Sequence, residues 1–208
     1  ATQKKLEEEY ADKFTVTASS PMSGAYDMSG VQATVMTKPY PEPVYLPYLI
    51  MGINEVYNIT DSDKLFRAPY DSLIPIIYNG ELNLQEINAY LPEIPEDVVH
   101  PDLLKEYKEN PNFKFNTALK ENNLLDWKPE THTRIFYCKS DKIVLYENSV
   151  VAFKKMKENG SKKVELCKAA KKLGFCGKAD GACTDLNQSN KASDIFVCAK
   201  QYGFRYRN

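Results

Sequence analysis

Apolar residues change their spacing as the chain proceeds, and the changes mark the elements. In residues 2–12, Leu6 and Tyr10 stand four apart among charges, as on the end of a helix. "FTVTASS" follows, a β-branched run bounded by "PMSG", and reads as a buried strand. "PMSGAYDMSGVQ" is a loop punctuated by Gly and Ser. From about Val31 to Asn116 the apolar positions fall at helical spacing: "YLIMGINEVYNI", "APYDSLIPIIYNG", "LNLQEINAYL" and "PEDVVHPDLLKEYKEN". Pro39, Pro41, Pro43 and Pro47 break the start of this stretch into extended pieces, and later Pro and Gly stop its helices.

Beyond it, "FNTALKENNLLDW" predicts an amphipathic helix, and "THTRIFYC" a strand entered from a polar loop. "ENSVVAFKKMKENG" predicts a helix, with Val150, Phe153 and Met156 at threes and Asn159-Gly160 at its end. "KKVELC" reads as a short strand and "ASDIFVCAKQYGF" as a last helix. Alternating strands and helices imply an α/β fold with a mostly parallel sheet.

Composition narrows the function classes. Lys and Arg total 27 against 28 Asp and Glu, so no basic excess points to nucleic acid. The Lys-rich stretches "KKMKENGSKK" and "KAAKK" read as solvated helix faces. The longest apolar run, "VYLPYLIMGI", is about half of what a membrane span requires and contains Pro47. The opening "ATQKKLEEEYADKF" is charged, unlike a signal peptide, lacks an initiator Met, and starts inside a helical pattern. An upstream part is therefore expected.

Of the five cysteines, Cys138 stands apart and Cys167, Cys176, Cys183 and Cys198 lie in the last quarter. They lack Cys-x-x-Cys spacing and a nearby His, so neither a metal nor a cofactor is expected. Clustered cysteines suggest disulfides and an oxidising compartment, or else buried thiols. Seven tyrosines, from Tyr40 to Tyr90, lie in the helical stretch. They could line a substrate groove or pack small helices. Asp141, in the polar turn after "RIFYC", could be a catalytic carboxylate or a turn residue bonding its own backbone.

Three segments carry a family resemblance: "FTVTASSPMSGAYDMSG", "ALKENNLLDWKPE" and "RIFYCKSDKIVLYENSVVAFKKMKENGSKKVEL". Together they resemble the C-terminal part of a secreted bacterial α/β-hydrolase of the esterase/lipase or prolyl-oligopeptidase-like type, distantly similar to secretory lipases. The match runs from about residue 1 to residue 166 and is poor beyond. It implies a partial α/β-hydrolase fold. Residues 1–30 would hold the sixth strand, 31–116 a helical lid, and 117–208 the seventh and eighth strands with a Cys-rich tail.

The family's chemistry is a Ser-Asp-His triad, with Ser in a Gly-x-Ser-x-Gly elbow, Asp after the seventh strand and His after the eighth. By resemblance Asp141 is the triad acid. No Gly-x-Ser-x-Gly occurs here, and Ser23 and Ser29 lack a strand–elbow–helix context. The family's His-Gly-Gly-Cys position is occupied by "ADGACTD", with Asp180 where the His should be. A carboxylate cannot replace imidazole as the proton shuttle at neutral pH. His100 falls in the lid, and His132 precedes the seventh strand at the wrong end.

The resemblance also places the loops after the seventh and eighth strands side by side, which makes Cys138 and Cys183 a candidate disulfide. The expectation is a secreted or periplasmic serine-hydrolase portion acting on small esters or peptides, inactive alone, completed by an N-terminal portion of the same protein. The alternative is a non-catalytic hydrolase-like protein using its lid groove for an apolar or peptide ligand. A third possibility is a structural component held in a larger assembly by tail cysteines.

Overall fold

The structure, a computed structural model, describes residues 1–168. It divides into two compact units: residues 1–24 with 125 onward, and residues 25–124.

The first unit is built on a parallel sheet ordered β1 (Ala18–Ser19), β2 (His132–Tyr137), β3 (Val164–Lys168). Ala18 stands opposite His132, and Thr133 opposite Val164. The three predicted strands are thus neighbours in the predicted order. Strand alternation sorts β2: Thr133 and Ile135 are buried, His132 and Arg134 exposed. α7 (Glu147–Glu158) connects β2 to β3 and packs on both. α1 (Thr2–Glu9) is held by polar contacts: Gln3 Nε2 donates to Thr133 Oγ1 at 2.7 Å, and Glu7 Oε2 accepts from Glu130 N at 2.7 Å.

The second unit is helical. It contains α2 (Tyr45–Tyr57), α3 (Tyr70–Ile77), α4 (Leu84–Asn88), α5 (Pro101–Glu109) and α6 (Lys114–Glu121), with 3-10 turns at Gln32–Thr37, Ser62–Lys64 and Pro95–Val98. Ile50, Ile53, Phe66, Ile74, Val98, Phe115 and Leu119 lie in one continuous apolar core. Asn83 and Glu86 form a reciprocal capping box at the start of α4. An isolated antiparallel bridge joins Phe66 to Val99.

Four details differ from the sequence reading. The run at 14–20 is strand only at Ala18–Ser19, because β2 is the one strand beside it among the described residues and Phe14 is exposed. The helix expected through Trp127 ends at Glu121, where Asn122 turns its side chain back to Ala118 O at 2.8 Å. Pro47 does not sit in an extended piece: it lies in the first turn of α2, where its missing N–H costs nothing. On α7 the buried face is Asn148, Ser149, Ala152 and Met156, so of the three residues read at threes only Met156 is fully buried. The predicted last helix lies outside the described residues. No described helix is long and apolar enough to cross a membrane.

Candidate functional site

Parallel strands deliver their following loops to one edge of the sheet, where ligands of α/β proteins bind. The loop after β2 runs from Cys138 to Leu145 and carries Asp141, where the sequence reading put it. Asp141 N donates to Cys138 O at 3.2 Å, which tightens the exit from the strand. Asp141 Oδ1 then accepts from Ile143 N at 2.9 Å and Val144 N at 3.0 Å. Both bonds fall on one oxygen. No hydrogen bond to Oδ2 comes from the described residues.

Of the two roles weighed for Asp141, this arrangement shows the turn role. Oδ1 makes the local backbone bonds typical of a turn aspartate. The two amide donors on Oδ1 fix the direction of the carboxylate.

The other sequence candidates are spread through the fold. Ser23 follows β1, and its amide donates to Phe136 O at 2.9 Å. It holds a left-handed backbone, φ 45, but no helix follows it, and so it forms no elbow. Ser29 is committed to Asn123: its amide donates to Asn123 Oδ1 at 3.1 Å, and its Oγ accepts from Asn123 Nδ2 at 2.8 Å. His100 caps α5, its Nδ1 accepting from Asp102 N at 3.3 Å within the helical unit. His132 is exposed and opens β2, at the opposite end of the strand from Asp141. Asp180 and Cys183 lie outside the described residues. Cys138, at the start of the Asp141 loop, has its Sγ 3.6 Å from Ser140 Oγ.

Two depressions fall elsewhere. One, in the helical unit, is lined by apolar residues such as Ile50, Leu103, Phe113 and Phe115. The other lies on the sheet beside His132, Arg134, Lys163 and Glu165. Among the described residues no cluster of His, Cys, Asp and Glu could hold a metal ion.

Sequence reasoning missed what steadies the loop. Tyr137, the last residue of β2, stacks on Tyr146, just before α7, with ring centroids 5.7 Å apart and planes at 23°. The signal present in the sequence was an aromatic residue at each end of the Asp141 turn. Glu147 beside the Tyr146 hydroxyl raises that group's pKa above its ordinary 10.0, through its charge and a hydrogen bond.

No family model matches the chain, and no curated protein matches it. Solved structures do. A rice cell wall degrading esterase, LipA, from Xanthomonas oryzae superposes with a TM-score of 0.76 at 23% identity, over 97% of this chain and 54% of its own. A candidate hydrolase from Legionella pneumophila superposes with a TM-score of 0.73 at 20% identity, over 98% of this chain and 53% of its own. The chain thus has a partial α/β-hydrolase fold and spans about half the length of the solved structures it matches.

Proposed function

We propose that the chain is the C-terminal portion of a secreted serine hydrolase acting on esters, and that Asp141 is its triad acid. The observation that carries this reading is the state of the Asp141 carboxylate. It sits just past the C-terminal end of a parallel strand, with Oδ1 held by Ile143 N and Val144 N. In a triad, Oδ2 would accept Nδ1–H of a histidine, fix its tautomer, and stabilise the imidazolium formed when the nucleophile is deprotonated. The fold likeness to an esterase supports an acyl-transfer reading. The nucleophile and oxyanion hole would come from an N-terminal portion, since the sequence has no Gly-x-Ser-x-Gly. Residues 31–116 would serve as the lid. The Cys138–Cys183 disulfide belongs to the same reading.

Asp141 can be tested by separating its two oxygens' roles. Asparagine keeps an oxygen that can accept from Ile143 and Val144 but removes the charge; alanine removes both. In the longest natural form of the protein, Asp141→Asn and Asp141→Ala should both lower p-nitrophenyl ester hydrolysis by orders of magnitude, as loss of a triad acid does. Only Asp141→Ala should lower the melting temperature. A full hydrolysis rate in Asp141→Asn would reduce Asp141 to a turn residue. The binding-protein alternative rests on Asp180. It gains if the longest form is inactive and Asp180→His raises its rate tenfold or more.

A further inference from the structure

We propose that Tyr137 and Tyr146 are positioning residues, an aromatic clasp that sets the direction of the Asp141 carboxylate. The chain leaves the sheet at Tyr137 and enters α7 just after Tyr146. The two rings stack across this gap at 5.7 Å and 23°, within the range that aromatic pairs favour. The loop's two ends are therefore tied to each other by side chains as well as by the backbone on either side.

Inside the clasp the loop is tightened again. Asp141 N bonds Cys138 O on the strand side, while Asp141 Oδ1 bonds Ile143 N and Val144 N on the helix side. Asn148 Nδ2 reaches back to Leu145 O at 3.0 Å, and Ser149 N donates to Tyr146 O at 3.0 Å. The carboxylate bonds set where Asp141 sits relative to its own turn. The ring stack sets where that turn sits relative to β2 and α7. A triad acid needs both, because a misplacement of about 1 Å can cost on the order of 100-fold in rate. The ring face makes the stack. Phenylalanine should therefore replace Tyr146, and alanine should not.

The clasp itself stands on the ring geometry; its catalytic meaning rests on the reading of Asp141 as triad acid. The test is amide hydrogen exchange across residues 138–146 in the purified full chain, with esterase kinetics on the longest natural form. Tyr146→Ala should speed exchange of the Ile143 and Val144 amides at least tenfold. It should also lower kcat about tenfold with KM unchanged. Tyr146→Phe should match the parent in both. Tyr137→Leu, which keeps a strand-compatible apolar side chain, should repeat the alanine result if the fold fails in Tyr146→Ala. Unchanged exchange in both ring-removing variants would overturn the clasp. Faster exchange with full activity in Asp141→Asn would leave the clasp standing and remove Asp141 from the triad.

Discussion

The helical unit and the sheet unit are made of different materials. The helical unit buries a continuous apolar core drawn entirely from residues 25–124, with Ile74 and Ala118 fully sealed. The sheet unit buries Ile135, Ala152, Met156 and Val164 together with polar Thr133, Asn148, Ser149 and Ser161. Those polar groups are satisfied by specific bonds, such as Ser161 Oγ to Pro129 O at 2.6 Å. The difference teaches where precision is kept. Apolar packing is non-directional and stabilises many arrangements. Buried hydrogen bonds accept few geometries, and they lie in the unit that carries the Asp141 turn.

The largest expected effect tests whether each core supports its own unit. Ile74→Ala should cost about 2–5 kcal/mol, as truncation of a fully buried Ile does. The protein's one Trp, Trp127, is in the sheet unit, so its fluorescence reports that unit, whereas far-UV circular dichroism reports mostly the helices. Urea unfolding of Ile74→Ala should shift the dichroism midpoint and leave the Trp127 midpoint in place, with Ile135→Ala doing the reverse. Coincident shifts by both probes in both variants would make the two units one cooperative block.

A medium effect separates the tyrosines. Burial raises the Tyr26 pKa to about 12 from its ordinary 10.0, and burial raises Tyr78 as well. A raised folded-state pKa gives stability that is complete below pH 10 and lost as pH rises towards the folded value. The helical unit should therefore weaken between about pH 10 and 12, followed by tyrosinate absorbance alongside circular dichroism. Tyr146, shifted by the Glu147 charge, should move back towards 10 in high salt, whereas Tyr26 should not. Tyr26→Phe removes a buried hydroxyl that has no hydrogen-bond partner among the described residues, and should not destabilise the protein at neutral pH.

The smallest effect belongs to the exposed face of the sheet. Arg134 pairs with Glu165 at 3.0 Å, but both side chains are about half exposed. Arg134→Ala should change stability by less than about 1 kcal/mol, and a larger loss by urea unfolding would give this face a packing role.

Particular residues show which parts of this fold were legible. "RIFYC" and "KVELC" read as strands because β-branched and aromatic residues stood between polar turns, and both are strands. The sequence reading ran one helical pattern through "PEDVVHPDLLKEYKEN", whereas the structure breaks it at Val99–His100, because the residue before Pro101 avoids helical backbone. The short β1 was not readable: its length depends on pairing, which propensity does not encode. The phase of α7 was missed because Asn148 and Ser149 are buried polar residues, invisible to a search for apolar periodicity. For the candidate site, the place of Asp141 was legible from the turn after a strand. The use of one oxygen by two amides and the ring stack across the loop were not, because both depend on side-chain direction.

The helical unit's two ends meet. Leu124 N donates to Tyr26 O at 2.8 Å, and Ser29 and Asn123 exchange two further bonds beside it. A segment closed in this way behaves as a cassette. Its internal length matters little to the host, because the entropy of closing a loop grows only with the logarithm of its length. Evolution can lengthen, shorten or exchange what lies between Tyr26 and Leu124 while the doorway stays fixed, and a protein engineer can do the same by grafting a foreign helical insert onto those two residues.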